Sequence, residues 1–136
     1  MRTKKVKPPP KKFEYKLKIS KLYDRFKKQD YISFKFHTTK EFLTFKYILN
    51  IEADTTDSAV VFNIVGFKAP TGDLSQFGTA EYEYRFYDFR NTDYSVTIHR
   101  KDVDKSKFKL TVSRSKTEPI KLSSVQKNTF IEVTNV

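Results

Sequence analysis

The sequence predicts an all-β fold: an antiparallel β-sandwich of about eight or nine strands, immunoglobulin-like or C2-like, with a β-barrel as the alternative. Three observations support this prediction. Apolar and polar residues alternate with a period of two in many segments. Turns rich in Asp and Asn separate these segments. No long helical period occurs, and short strands every 10–15 residues or so are typical of sandwiches and barrels.

The chain begins with a basic tail, which we define as residues 1–12. The tail contains Pro8-Pro9-Pro10 and no acidic residue, so it favours extended polyproline II structure. We expect this tail to be disordered. The remaining residues, 13–136, have a length typical of a single β domain.

Strand-like alternation starts at Phe13 and continues to Ser20. In residues 21–28 the four-residue spacing of Leu22 and Phe26 favours a short helical turn. Alternation predicts the following further strands: 31–37, 42–51, 79–89, 94–99 and 107–113, with shorter ones at 120–122 and 130–136. Residues 59–67 are apolar on both faces, which is typical of a strand packed on both sides.

All three glycines of the chain lie between residues 66 and 78. This segment is the longest polar interruption of the predicted domain, and binding residues often lie on loops held by a rigid scaffold. We therefore take the following as a candidate interaction loop: Gly66, Pro70, Gly72, Phe77 and Gly78. The alternative is a β-bulge at Gly66 followed by an ordinary connection.

Composition excludes several classes of protein. The chain has no cysteine, so disulfides, thiolate metal sites and cysteine nucleophiles are excluded. Its first residues are charged and contain no apolar core of a signal peptide, and no stretch is long and apolar enough for a transmembrane segment. We expect a cytoplasmic protein. No motif indicates a cofactor, and we predict none.

Two pairs of residues resemble catalytic pairs only superficially. Ser95 and His99 share a strand face but lie ~13 Å apart along the strand, too far for a hydrogen bond. Glu81 and Glu83 have a spacing that overlaps that of glycosidase carboxylates. Because Arg85 follows on the same face, a surface charge ladder is the favoured interpretation.

Metal-ligand candidates are also weak. His37 and His99 are far from ligand spacing with other candidates, which favours exposed strand histidines. Asp102 and Asp104 resemble the calcium ligands of C2-type sandwiches, but Lys101 and Lys105 flank them and would repel the ion. We therefore predict no metal site.

The basic residues are concentrated in residues 1–40, which contain fourteen Lys and Arg against three acidic residues. The formal net charge of the whole chain, +11, therefore lies there. Cations interleaved with aromatic residues are typical of single-strand nucleic-acid binding. The candidate polyanion-binding residues are Arg2, Lys4, Lys5, Lys7, Lys11, Lys12, Lys16, Lys18, Lys27 and Lys28, with Tyr23, Phe26 or Tyr31 as stacking surfaces.

The cations after the tail also have structural explanations. Strand alternation alone places polar side chains on the outer face of a sheet. Edge strands also use lysine to block unwanted pairing with strands of other chains. A first strand next to a tail is a candidate edge. The predicted disordered tail has no strand whose structure would explain its cations, and solubility is the simplest explanation of its charge.

We hypothesise a non-enzymatic binding module with an unidentified protein partner, which it contacts through its sheet faces, an edge or the 66–78 loop. The alternative function is binding of a polyanion, RNA or single-stranded DNA, through the basic N-terminal third, and an anionic surface is a further partner that the tail favours. A hydrolase is the third and least favoured class.

Overall fold

Nine β-strands form the part of the chain that the computed structural model describes, which is residues 15–42, 48–68, 78–100, 104–114, 117–124 and 130–135. The strands are β1 Tyr15–Asp24, β2 Gln29–Phe42, β3 Ile48–Thr55, β4 Ala59–Lys68, β5 Gly78–Phe86, β6 Asp93–Arg100, β7 Asp104–Val112, β8 Ile120–Ser123 and β9 Ile131–Asn135. These ranges contain no helix that could cross a membrane. The prediction of an all-β chain with eight or nine strands is confirmed.

The described strands form one sheet in the order β8-β7-β6-β4-β3-β5-β2-β1-β9. The sheet curls until β8 and β9 approach each other, so it is nearly closed into a barrel with a seam between these two strands. The sequence predicted a sandwich with a barrel as the alternative, and the structure has the barrel-like arrangement. Within the described sheet, β1–β9, β3–β5 and β4–β6 are parallel, and the other neighbouring pairs are antiparallel.

The core lies inside the curled sheet, on the apolar side of each alternating strand. Phe62 of β4 packs at its centre, with its ring 4.9 Å from that of Phe36 and 5.1 Å from that of Phe34. Tyr84 packs against Phe62 edge-on at 5.7 Å. Such aromatic pairs add to the stabilisation from burial alone. The apolar residues that alternate along β5, β6 and β7 belong to this core or pack against it, as period-two alternation predicts.

Several predicted strand boundaries shift, such as the end of the strand predicted over 79–89, which lies at Phe86, and two predicted elements differ in kind or continuity. The helical turn expected within residues 21–28 is wrong, because β1 stays paired with β2 as far as Asp24↔Gln29 and only residues 25–28 form the turn. Cross-strand pairing overrides the four-residue spacing of two apolar side chains. The strand predicted over 42–51 is also divided, since Phe42 ends β2 and Ile48 begins β3, and residues 43–47 lie outside the described ranges.

Strand β4 is buried on one face only. Val60, Phe62 and Ile64 are buried, whereas Val65 and Phe67 are exposed. The prediction that 59–67 is packed on both faces is therefore wrong. Val65 lies on the outer face of the barrel wall, which is open to solvent, and Phe67, although it pairs with the buried Leu49, is exposed near the end of the strand. Gly66 lies at an irregularity in the β3–β4 register, where its φ of 153° is one that favours glycine.

Strand β1 is an internal strand, paired with β2 on one side and β9 on the other. The expectation that it forms an edge is wrong, since β9 returns to pair beside it. The registers also place the described connections at the same end of the barrel: residues 25–28, 56–58 and 87–92, and the described residues 113, 114 and 117–119 between β7 and β8. We call this the turn end.

Candidate functional site

The predicted polyanion-binding residues do not form one surface in the described structure. Arg2, Lys4, Lys5, Lys7, Lys11 and Lys12, and with them the whole predicted tail 1–12, lie outside the described residues. Lys16 and Lys18 lie near the start of β1, and Lys27 and Lys28 lie in the turn after it. Ten extended residues separate the two ends of β1, or roughly 30 Å.

Lys16 and Lys18 lie on an outer face of mixed charge. Lys16 is beside Glu132 of β9 and His37 of β2, and His37 is in turn beside Glu81 of β5. Partial burial lowers the pKa of His37 below its usual value, and repulsion from Lys18 and Lys16 lowers it further. Acidic residues thus interrupt the lysines on this face, which weakens it as a polyanion site.

The turn between β1 and β2 is organised by Asp24, whose side chain is only 9% exposed. Its Oδ1 accepts the backbone N–H groups of Phe26 (2.8 Å) and Lys27 (3.1 Å). Its Oδ2 accepts the hydroxyl of Tyr87 (2.8 Å). The Tyr87 hydrogen bond is the largest of the effects that hold the pKa of Asp24 below its usual value. Lys28 closes the turn with a left-handed φ of 53°.

The rings of Tyr31 and Tyr87 pack together beside this turn, with centroids 5.3 Å apart. Cations cover them, since Lys27 Nζ lies 3.9 Å from the centroid of Tyr87 and the Arg85 guanidinium lies 4.9 Å from that of Tyr31. Tyr31 is 6% exposed, so it offers no stacking surface.

The other two predicted stacking residues are accessible. Tyr23 is 58% exposed, and Phe26, in the turn itself, is 99% exposed. Arg25, Lys27 and Lys28 lie beside Phe26 in sequence and are exposed as well. We call residues 21–30 the hairpin tip. The sequence already placed both cations and aromatics here, although it assigned part of the segment to a helical turn.

The structure places the predicted carboxylate pair in a charge network. Glu83 accepts hydrogen bonds from Ser33 Oγ (2.6 Å) and from Arg85 Nε (2.9 Å). Partial burial raises the pKa of Glu83, but these two hydrogen bonds outweigh it, so the pKa lies below its usual value. A general acid needs a raised pKa, which favours the charge-ladder interpretation.

The other chemical candidates are dispersed. Ser95 and His99 lie on the outer face of β6, four residues apart. Asp104 forms an ion pair with Arg100, and Asp102 lies outside the described residues. No group of three or more His, Asp or Glu side chains able to hold a metal ion occurs within the described ranges.

Of the candidate interaction loop, only Gly66 and Gly78 are described, at the end of β4 and the start of β5; Pro70, Gly72 and Phe77 lie outside the described residues. Exposed apolar side chains do lie near Gly66, namely Ile48, Val65 and Phe67. We call these three residues the β3–β4 patch. The sequence missed the patch because the apolar run was assigned to the core.

A shallow groove of about 620 Å³ lies on the outer face of β6 and β7. Its lining includes Asp93, Ser95, Lys107 and Lys109. Asp93 forms an ion pair with Lys109 (3.1 Å) and accepts the hydroxyl of Thr111 (2.7 Å). The Thr111 hydrogen bond and then that of Lys109 lower the pKa of Asp93. Two of the charges that line the groove, Asp93 and Lys109, thus pair with each other, so the groove is a weaker candidate than the hairpin tip.

Comparisons of this chain with protein-family models, with curated proteins and with solved structures each found no match.

Proposed function

We propose that this protein is a non-enzymatic binding module that contacts an anionic partner through the hairpin tip. The observation that carries the proposal is the exposure of Phe26, which reaches 99% in a turn that also presents Arg25, Lys27 and Lys28. Exposed apolar groups among cations are a feature of binding surfaces, because both electrostatic attraction and apolar burial favour contact.

The positive charge of the hairpin tip faces outward. Of its two acids, Asp24 is nearly buried and its two oxygens accept hydrogen bonds from Phe26, Lys27 and Tyr87. Asp30 is exposed. The exposed cations Arg25, Lys27 and Lys28 therefore outnumber the exposed acid at this site, and attraction to an anion follows.

The absence of catalysis is part of the same proposal. Glu83 has a lowered pKa and is hydrogen-bonded to Ser33 and Arg85, while Ser95 and His99 are too widely spaced along β6 for nucleophile activation. These features favour structural roles for both pairs, and no cofactor is needed for the proposed function.

The test measures binding of a labelled single-stranded oligonucleotide, used as a generic soluble polyanion, at a series of salt concentrations. The double variant Lys27→Gln/Lys28→Gln is expected to bind more weakly than the native chain. The slope of log affinity against log salt is expected to fall by about 0.7 for each lysine removed.

The matched control is Lys105→Gln/Lys121→Gln, which removes two exposed strand lysines outside the tip. It is expected to bind nearly as well as the native chain. Equal losses in both double variants would mean that net charge alone drives binding, and the proposal for the hairpin tip would then be wrong.

A protein partner at the β3–β4 patch is a second candidate function. Its support is the exposure of Ile48, Val65 and Phe67, three large apolar side chains near one end of the β3–β4 strand pair. A purified partner that binds the native chain is expected to lose affinity by about tenfold with Val65→Lys, since a charge would replace apolar contact. Unchanged affinity would exclude the patch from that interface.

A further inference from the structure

We infer that the anionic partner of the hairpin tip is the surface of a lipid bilayer that contains anionic headgroups. This inference rests on the proposed function and names the class of partner. It requires an exposed turn at one end of the barrel, apolar side chains at its apex and cations placed around them. The structure provides each of these three features.

The hairpin tip extends beyond the ladder with β5. The β2–β5 ladder ends at Ile32↔Phe86, and the β1–β2 ladder continues for three further pairs, to Asp24↔Gln29. The β5–β6 connection packs beside these pairs, because Tyr87 contacts Tyr31 and its hydroxyl donates a hydrogen bond to Asp24. The turn itself, residues 25–28, is exposed, so it can contact the interfacial region of a bilayer.

Apolar side chains reach the apex from both faces of the hairpin. Successive residues of a strand point to opposite faces, so Leu22 and Tyr23 lie on opposite sides near the end of β1, and both are exposed. Phe26 follows in the turn and is almost fully exposed. These three side chains can enter the acyl boundary together, with Phe26 deepest.

The cations are placed where lipid phosphates would lie. Arg25, Lys27 and Lys28 directly flank Phe26, and Lys21 lies further back on β1, with its Nζ 5.6 Å from the centroid of the Phe89 ring. A lysine or arginine near an anionic membrane surface strengthens binding about fivefold. The combination of inserted aromatic and surrounding cations therefore fits a planar anionic surface.

A single-stranded nucleic acid fits the same tip less well. Single-strand sites use a groove that follows the backbone and aromatic faces on which successive bases stack. The rings of Tyr31 and Tyr87 pack against each other at an interplanar angle of 41° and carry Arg85 and Lys27 on their faces. Phe26 lies at a convex apex, where a base could stack on one side only.

The test uses Phe26→Trp, because the chain contains no tryptophan and the emission then reports the tip alone. Vesicles of about three parts phosphatidylserine to seven parts phosphatidylcholine supply the anionic surface. The emission is expected to shift to the blue with these vesicles and to stay unchanged with pure phosphatidylcholine. Phe67→Trp, which places the reporter on β4 away from the tip, is the matched control and is expected to show no shift.

Phe26→Ala separates the inference from the proposed function. The variant should fold, since Phe26 is 99% exposed. It is expected to bind the anionic vesicles about tenfold more weakly, because apolar burial is lost, and to bind the single-stranded oligonucleotide as the native chain does.

Two results would overturn the lipid inference while the proposed function stands. One is oligonucleotide binding that depends on Lys27 and Lys28 together with no blue shift on anionic vesicles. The other is an equal loss of oligonucleotide and vesicle affinity in Phe26→Ala, which would indicate base stacking. If neither probe binds at low salt, both the inference and the proposed function are wrong.

Discussion

Asp24 couples the β1–β2 turn to the connection after β5. Its two oxygens accept hydrogen bonds from the backbone of Phe26 and Lys27 and from the hydroxyl of Tyr87. Arg85 lies near the same carboxylate, with Nη1 3.8 Å from Oδ2. A carboxylate in this position fixes the turn geometry, and so it sets the direction in which Phe26 and the tip cations point.

The lowered pKa of Asp24 makes part of the stability depend on pH. Because the pKa is lower in the folded chain than in the unfolded chain, the contribution is fully present above the usual pKa of 3.8. It is lost as the pH falls through the folded-state value. Tyr87→Phe removes the largest cause of the lowered pKa. We expect the melting temperature of this variant to be lower than that of the native chain at neutral pH.

The difference between the two melting temperatures is expected to shrink as the pH falls below about 4, since the protonated carboxyl gains less from the tyrosine hydroxyl. Thermal unfolding between neutral and acid pH measures this. Tyr23→Phe, an exposed tyrosine on the same hairpin, is the control and is expected to leave the pH profile unchanged. A Tyr87→Phe difference that stays constant at every pH would contradict the role of Asp24.

At the scale of the strands, period-two alternation predicted the inward faces correctly wherever one face was polar. In β6, for example, Tyr94, Val96 and Ile98 are buried and the residues between them are not. Alternation failed where both faces were apolar, as in β4, because an apolar run does not reveal which face will be covered. The exposure of Val65 depends on the barrel wall having solvent outside it, and that of Phe67 on its place near the end of β4.

The hairpin tip shows that a sequence pattern also leaves the exposure of a candidate site undetermined. Its cations and aromatics were visible in the sequence, but the accessibility of each ring was not. Tyr31 and Phe26 are both aromatic residues beside cations, yet Tyr31 is covered by Arg85 and Phe26 is open. The difference arises because Tyr31 lies on β2 beside Tyr87, which follows β5, whereas Phe26 lies in the turn. That distinction follows from strand pairing, which the sequence did not specify.

At the scale of the whole molecule, the structure shows where the cations of the basic N-terminal third lie. The described cations of the basic third divide between the start of β1 and the turn end of the barrel, with acidic residues Glu132, Glu81 and Glu83 beside the first group. The parallel pairs that bring these neighbours together join strands distant in sequence, such as β1 and β9. Local patterns contain no information on such pairings, which is why the charge ladder along β5 was predicted and the acidic neighbour of Lys16 on β9 was not.

The seam between β8 and β9 is where the barrel remains open. Asn135 spans it, with Nδ2 donating a hydrogen bond to the backbone oxygen of Ile120 at 2.9 Å. Leu122 of β8 and Val133 of β9 are partly buried against the core beneath. The short strands β8 and β9 form the two edges of the described sheet, so local opening should begin there.

Asn135→Ala is expected to loosen this seam without disrupting the rest of the barrel. Loss of one hydrogen bond of about 1 kcal/mol corresponds to roughly fivefold faster local opening. Hydrogen exchange should accelerate at the amides of β8 and β9 and stay unchanged in the β1–β2 ladder. Thr134→Ala, at the neighbouring exposed position of β9, is the control and is expected to leave exchange in both regions as in the native chain. Uniform acceleration through all strands would mean that the seam opens only with global unfolding, because Asn135 would then stabilise the barrel as one cooperative unit.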